Sequence, residues 1–241
     1  MFNFARKQVV DVTSTRPAVP PIDAFTEITE YDPKNWSISG EGSGVFVRGK
    51  AVSLPQSVQI QGDNCRLYID NGCFVNGHIE IKDGSNSVAY LGPRTRLRNF
   101  HAVLSGDSCL LVMGEAATTE QAVFFVHGDN MQITIGEDCM LSSGVVIRTA
   151  DGHGIFDAES RRQINKPAAV HVGAHCWIGN GARVAKGVTI SDGCVIGQMS
   201  LVSKPTEPNS IYAGVPARKV RSGTVWSRTD MYDDIPAHLL G

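Results

Sequence analysis

The sequence predicts an all-β fold of the parallel β-helix type, and three features support that prediction. First, apolar residues recur every six positions, a period that fits neither a helix nor an alternating strand but fits the short strands of a β-helix; they are Val172, Ile178, Val184, Ile190, Ile196 and Val202. Second, a small residue stands four positions after most of these anchors. Third, the part of the chain before these apolar anchors repeats with a period of 22 residues. Both periods would stack the apolar residues of each coil on those of the next.

The 22-residue repeat begins near residue 36 and keeps glycine, apolar and small residues in one register. Its glycines are Gly40, Gly62, Gly84, Gly106 and Gly128. Three hexapeptides account for 18 of the 22 residues. We therefore expect each unit to be one triangular coil with four extra residues at a Gly-Asp-Asn turn, because Gly and Asn adopt positive φ at little cost.

These periods divide the chain into three parts. We expect an N-terminal arm over residues 1–35, a β-helical domain over 36–221 and a C-terminal tail over 222–241. The polar stretch RTADGHGIFDAESRRQINKPAAV interrupts the repeat at residues 148–170. A long excursion from a rigid scaffold is where functional groups are commonly presented. Short helices are predicted over 22–31 and near 236–240.

Composition and charge narrow the class of protein. A length of 241 residues suits one large all-β domain, and 42% hydrophobic residues suffice for a core. The net charge of −2 gives no electrostatic reason to expect nucleic acid or an anionic membrane as a partner. No apolar run approaches the ~20 residues that span a bilayer, and the first residues lack the apolar core of a secretory signal. We expect a cytoplasmic protein without a transmembrane segment.

The six cysteines follow the spacing of the coil. Each occupies a small-residue position or an equivalent point of the longer repeat, and no CxxC pair is present to suggest zinc. We expect them to be small buried residues rather than disulfide partners or metal ligands, so no metal site is predicted. They are Cys65, Cys73, Cys109, Cys139, Cys176 and Cys194.

Two segments carry a resemblance to a known family. VGAHCWIGNGARVAKGVTISDGCVIG, which begins at Val172, and NSIYAGVPAR at residues 209–218 resemble the hexapeptide-repeat acyltransferases, in the branch of maltose, galactoside and polysaccharide O-acetyltransferases. The resemblance is close over residues 147–221. It implies a left-handed β-helix, a homotrimer with active sites between subunits, acetyl-CoA as donor, and a sugar or glycan hydroxyl as acceptor. Capsule, lipopolysaccharide and nucleotide-sugar intermediates are the expected acceptors.

His153 is the candidate catalytic base. The resemblance places the catalytic histidine of the family in this excursion, at a matching distance before the Trp-Ile-Gly that begins at Trp177. An imidazole near neutral pH can take the proton of a sugar hydroxyl as it attacks a thioester. Asp151 and Asp157 flank the histidine. Either carboxylate could orient the imidazole, and either could equally be a turn former.

The resemblance also assigns the residues that would bind the donor. Lys and Arg suit the phosphates of CoA. The family's usual Gly-Ala-Gly-Ser is here Gly197-Gln198-Met199-Ser200, a bulkier sequence at the pocket. The candidate donor contacts are Trp177, Asn180, Gln198, Ser203, Lys204, Arg218 and Arg221.

The leading hypothesis is an acetyl-CoA-dependent O-acetyltransferase that uses His153 for direct transfer to a sugar or polysaccharide hydroxyl. No Ser or Cys stands in a nucleophile motif, so an acyl-enzyme is not indicated. A γ-carbonic-anhydrase-like metalloenzyme is one alternative, because His171 and His175 stand four apart at outward positions of the coil. A non-catalytic β-helical assembly subunit is another. Bound zinc would favour the former, and absence of CoA binding the latter.

Overall fold

The protein is a left-handed parallel β-helix, which confirms the predicted fold class. The structure, a computed structural model, describes residues 19–30, 32 and 34–240. The first half of the arm, residues 1–18, lies outside the described residues. Within the described part, no helix has the length and apolar character needed to cross a membrane.

Short strands make up almost all of the regular structure. Before the excursion they are β1 (Thr26–Glu27), β2 (Trp36–Ser39), β3 (Gly44–Val47), β4 (Ser57–Gln61), β5 (Arg66–Ile69), β6 (Phe74–Lys82), β7 (Val88–Leu91), β8 (Arg96–Ser105), β9 (Leu110–Met113), β10 (Thr118–Thr119), β11 (Ala122–His127), β12 (Gln132–Ile135), β13 (Met140–Leu141) and β14 (Val145–Arg148). After it come β15 (Val170–Val172), β16 (Trp177–Ile178), β17 (Arg183–Val184), β18 (Thr189–Ile190), β19 (Val195–Ile196), β20 (Leu201–Val202), β21 (Ser210–Ala213) and β22 (Arg218–Ser222).

The strands form three faces of a triangular coil. Face A contains β3, β5, β7, β9, β12, β15 and β18. Face B contains the first residues of β6 and β8, followed by β10, β13, β16, β19 and β21. Face C contains β2, β4, the later residues of β6 and β8, and then β11, β14, β17 and β20. Neighbouring coils pair in parallel along every face.

The strand register confirms the two periods read from the sequence. On face A, Ile69 pairs with Leu91 and Leu91 with Met113, which is a coil of 22 residues. Beyond the excursion, Val172 pairs with Ile190, which is a coil of 18. The extra residues of the longer coil lie between faces C and A, where Gly62 and its equivalents turn the chain. A Cβ on Gly62 would overlap the backbone of the next coil, so this corner requires glycine.

The core runs the length of the solenoid. The inward side chains of all three faces are buried and form one cluster, in which the rings of Phe100 and Phe124 lie 5.2 Å apart. All six cysteines are buried in the inward positions that the repeat predicted. Burial raises the pKa of the Cys109 thiol to about 11, as expected for a small apolar core residue.

The N-terminal arm covers the outer surface of face A. Phe25 packs at 5.0 Å from the ring of Tyr68, and β1 adds an antiparallel strand to β3. Below it, the buried carboxylate of Asp70 accepts hydrogen bonds from Arg48 (Nε, 2.9 Å) and from the hydroxyl of Tyr90 (2.8 Å). The helix predicted over residues 22–31 is wrong for the described residues 22–30, which form a 3-10 turn at Ile22–Ala24 followed by β1; residue 31 lies outside the described residues.

The C-terminal tail folds back along face B after β22. It contains two 3-10 turns, Tyr232–Asp234 and Ala237–Leu239, of which the second lies where a short helix was predicted. The ring of Trp226 stacks on the imidazole of His175 at 4.5 Å. Arg228 donates to the carboxylate of Asp138 (2.6 Å). These contacts fasten the tail beside the strand that carries Trp177.

Candidate active site

The excursion leaves the solenoid after β14 and presents His153 at the corner between faces C and A. The side chain is exposed and lines a cavity of about 200 Å³. The walls of this cavity come from the end of β11 and from both limbs of the excursion; they include His127, Gly128, Asp151, Gln163, Asn165 and Pro167. The imidazole is therefore accessible to an acceptor that enters from solvent.

The amide of Asn165 holds the two limbs of the excursion together. Its Nδ2 donates to the carboxylate of Asp151 (2.9 Å) and to the backbone carbonyl of His153 (2.8 Å). Its Oδ1 accepts from the backbone N–H of Ile155 (2.7 Å) and from Nε2 of Gln163 (3.2 Å). Every donor and acceptor of the amide is used, so one side chain ties the backbone at His153 and Ile155 to the side chains of Asp151 and Gln163.

The two flanking carboxylates already have partners within the excursion. Asp151 forms an ion pair with Lys186, whose ammonium also donates to the backbone carbonyl of Asn165 (2.8 Å). The hydrogen bond from Lys186, followed by that from Asn165, lowers the pKa of Asp151. Asp157 accepts from the backbone N–H and the hydroxyl of Ser160, both at 2.7 Å, and these bonds lower its pKa. In this structure Asp157 is a turn former, and Asp151 anchors the loop to the coil.

His127 is a cavity residue that the sequence reasoning missed. It is the last residue of β11, points outward from face C and is half-buried. Burial lowers its pKa, and the cations Lys82 and Arg148 lower it further, so the imidazole is neutral near pH 7. Its position could have indicated this role, because His127 lies one coil before the corner from which the excursion departs.

Trp177 lies on face B, whereas His153 lies at the corner between faces C and A. The indole is 38% exposed, and its Nε1 donates to the hydroxyl of Ser142 (3.4 Å). Its ring is 6.0 Å from that of Trp226 in the tail. The candidate base and the candidate aromatic wall therefore belong to different faces of one chain.

The other candidate donor contacts are all exposed and lie toward the C-terminal end of the solenoid. Asn180 and Gln198 lie at corners that follow strands of face B. Ser203 and Lys204 follow β20 on face C. The remaining candidates stand on β22, which pairs antiparallel with β21 at the end of face B; they are Arg218 and Arg221. The set is thus divided between faces B and C.

The two histidines of the metalloenzyme alternative do not share a site. His171 lies outward on face A with its Nδ1 2.9 Å from the hydroxyl of Thr134. The sequence placed His175 at an outward position, but it is only 2% exposed because the tail covers it. The Nδ1 of His175 forms a hydrogen bond with the carboxylate of Asp138, and its Nε2 forms one with the backbone carbonyl of Trp226, both at 2.8 Å. The described residues contain no cluster of three potential metal ligands.

A left-handed β-helix of hexapeptide coils, with an imidazole on an excursion and basic residues at the C-terminal end, defines an acyltransferase class. The bacterial transferase hexapeptide family model (six repeats) matches residues 169–204. The polysialic acid O-acetyltransferase of Neisseria meningitidis is 32% identical over 204 residues, which cover 81% of this chain and 94% of that protein. That of Escherichia coli O1:K1 / APEC is 33% identical over 113 residues, covering 47% of this chain and 37% of the relative.

Solved structures give the same result. The polySia-specific acetyltransferase NeuO superposes with a TM-score of 0.74 at 28% identity, covering 82% of this chain and 91% of NeuO. The polysialic acid O-acetyltransferase OatWY superposes with a TM-score of 0.72 at 30% identity, covering 83% of this chain and 96% of OatWY. The chain belongs to the hexapeptide-repeat O-acetyltransferases, and it is therefore an acyltransferase.

Proposed function

We propose that this protein transfers an acetyl group from acetyl-CoA to a hydroxyl of a glycan, with His153 as the general base. The observation that supports this most is the exposed imidazole of His153 in a cavity where Asn165 donates to the backbone carbonyl of His153 and to the carboxylate of Asp151. Holding the backbone that carries the imidazole restricts where the base can lie before substrate arrives, which supports general-base catalysis. The reaction is placed in the cytoplasm, where acetyl-CoA is available.

The transfer proceeds in one displacement through a tetrahedral intermediate. The imidazole of His153 takes the proton of the acceptor hydroxyl while its oxygen bonds to the acetyl carbonyl carbon. The carbon–sulfur bond then breaks, and the imidazolium returns the proton to the departing thiolate of CoA. Atoms and charge balance without an acyl-enzyme. A backbone N–H of the neighbouring coil would stabilise the oxyanion.

The donor would lie along the C-terminal coils. Trp177 and Asn180 stand on an earlier coil than Ser203 and Lys204, and β22 closes the solenoid beyond them. Neighbouring strands are about 4.8 Å apart, so these residues follow the axis in the way that an extended pantetheine would. We assign the thioester to the coil of Trp177 and the phosphates to Lys204, Arg218 and Arg221, with Gln198 and Ser203 between them.

The active site is proposed to form between the subunits of a homotrimer. His153 and Trp177 lie on different faces of one chain, so a neighbouring copy is needed to bring the two groups together. The excursion supports this arrangement, because its short hairpin exposes three large apolar side chains, Ile155, Phe156 and Ile164. Exposed apolar groups at the tip of a loop mark an interaction surface.

The acceptor is proposed to be an acidic polysaccharide or its precursor. The relatives that match most of this chain are named for polysialic acid, a glycan with a carboxylate on each sugar. The cavity at His153 is open to solvent and polar, which suits a hydroxyl carried on a long chain.

The test is release of CoA thiol from acetyl-CoA in the presence of a panel of acceptors. The panel contains sialic acid oligomers, neutral oligosaccharides, galactosides and nucleotide sugars. We expect release that depends on a glycan, together with an ester product that hydroxylamine cleaves. Absence of transfer to every hydroxyl acceptor, by protein that binds acetyl-CoA, would contradict the proposal.

A further inference from the structure

We propose that a second cavity, on face B, is a subsite for the carboxylate of an acidic acceptor glycan. This inference rests on the proposed glycan acetyltransferase function. The cavity has a volume of about 540 Å³ and lies N-terminal to Trp177 on the same face. We name it the arginine cavity, and its lining residues are Arg96, Arg98, Thr118, Glu120, Met140, Leu141, Ser142, Ser143, Asn180 and Arg228.

Arg96 supplies a cation that the fold does not use. Its side chain is exposed, and among the described residues it has neither a hydrogen-bond nor an ion-pair partner. Arg98 stands two residues further along β8, so both side chains point outward from the same strand. Arg98 pairs with Glu120 at 3.3 Å, and both side chains are at least half exposed. An exposed pair of this kind is weak and can be exchanged for a ligand carboxylate.

Arg228 closes the cavity from the tail and is held in place. Its guanidinium donates to the carboxylate of Asp138, to the hydroxyl of Thr118 (3.0 Å) and to the backbone carbonyl of Cys139 (3.1 Å). It therefore fixes the wall of the arginine cavity, while Arg96 is available to bind ligand and Arg98 can exchange Glu120 for a ligand carboxylate. Arginine can bind a carboxylate through two parallel, charge-assisted hydrogen bonds. A neutral sugar has no anionic group that could accept such a pair.

The position of the cavity links it to the proposed catalytic coil. Arg96 pairs with Thr118, Thr118 with Met140, and Met140 with Trp177 along face B. Three coil steps of about 4.8 Å each span roughly 14 Å, which is the length of two to three sugar units. The hydroxyl of Ser142 accepts the bond from the Trp177 indole, so the cavity ends beside the candidate donor site. A chain bound along it would reach the catalytic coil.

The experiment compares an acidic acceptor with its neutral counterpart. The probes are a sialic acid oligomer and the same oligomer after reduction of its carboxyl groups. The measured quantity is the ratio of kcat/KM for the two probes. We expect Arg96→Gln and Arg98→Gln each to lower this ratio roughly ten-fold, the effect of losing a charge-assisted hydrogen bond. Raised salt should lower the wild-type ratio as well.

Arg94→Gln is the matched control. Arg94 precedes β8, is exposed and already pairs with Glu115, and it does not line the arginine cavity. This variant should keep the wild-type ratio. A ratio that falls equally in all three variants would indicate a general loss of positive charge and would overturn the proposal.

Equilibrium binding separates failure of this inference from failure of the proposed function. Binding of the sialic acid oligomer is measured by calorimetry without donor, in wild type and in Arg96→Gln. Weaker binding by the variant supports the subsite even if no transfer is seen. Wild-type affinity in the variant overturns it even if transfer occurs. A variant that loses its oligomeric mass would assign this face to subunit contact, and would also overturn it.

Discussion

At the scale of single residues, the excursion joins an accessible imidazole to a rigid scaffold. We expect His153→Ala to lower kcat by roughly 10²- to 10⁴-fold, the usual effect of losing a positioned general base. The side chain is exposed and lies outside the core, so the substitution opens no cavity. Steady-state rates, with acetyl-CoA binding and thermal unfolding as controls, test this. Near-normal turnover in the folded variant would contradict the mechanism.

Asn165 acts through the backbone that carries His153. We expect Asn165→Ala to lower kcat roughly 10- to 100-fold with little change in the KM for acetyl-CoA, because a displaced base loses its alignment. The neighbouring Lys166→Ala is a suitable control, since that side chain is exposed on the same limb. Equal effects of the two substitutions on kcat would show that the amide network does not position the base.

Lys204 and Arg221 are expected to act on donor binding. Substitution of either by Ala should raise the KM for acetyl-CoA with a smaller effect on kcat, because contacts to the phosphates are made in the ground state and the transition state alike. Both side chains are exposed, so stability should be unchanged. A fall in kcat at unchanged KM would place these residues elsewhere in the mechanism.

At the scale of elements, the buried carboxylate of Asp70 supports the surface of face A on which the arm packs, because its partners Arg48 and Tyr90 both contact Phe25 of the arm. Asp70 is 1% exposed. Burial by itself would raise the pKa of its carboxyl, but hydrogen bonds from Arg48, from the backbone N–H of Asn71 and from Tyr90 more than offset burial and lower it. Because the pKa is lower in the folded state, the carboxylate stabilises the fold above about pH 4, the ordinary value, and this contribution is lost as pH falls further.

We therefore predict that Asp70→Asn costs about 1–3 kcal/mol of unfolding free energy at neutral pH, the effect of leaving buried groups unpaired. The difference between wild type and variant should shrink as pH falls below about 4. Denaturant unfolding at several pH values measures this. Asp23→Asn, an exposed change in the arm, serves as control. A difference that does not vary with pH would show that the charge of Asp70 is not the cause.

At the scale of the whole molecule, a shared active site predicts complementation between two inactive variants. Co-expressed His153→Ala and Trp177→Ala subunits should assemble into mixed trimers. One site in four would then combine an intact base with an intact indole, so about a quarter of wild-type activity should return.

Light scattering should give three times the mass of one chain for the wild type and for the mixture. Activity that stays at the level of the separate variants, in a mixture shown to contain both chains, would place each site within one subunit. A stable monomer at working concentration would exclude sharing altogether.

The sequence by itself determined the architecture of the solenoid. Its six- and 22-residue periods predicted the strand register and the buried cysteines, because an inward side chain meets its equivalent on the next coil at a fixed sequence distance. The turn at Gly62 was predictable for the same reason, since the close approach of stacked coils demands glycine there. The excursion that carries His153 was visible as a break in the period.

Only the tertiary structure decided which polar side chains meet. Asp151 pairs with Lys186, 35 residues away, and His175 bonds Trp226, 51 residues away. His127 lines the cavity of His153, and Arg228 closes the arginine cavity from the tail. Each of these contacts joins a coil residue to the excursion or to the tail. The period does not predict such contacts, because the path of these two segments depends on how they pack on the outside of the coil. The sequence period determines which side chains stack inside the solenoid, whereas the contacts on its outer surface are made by segments that do not repeat.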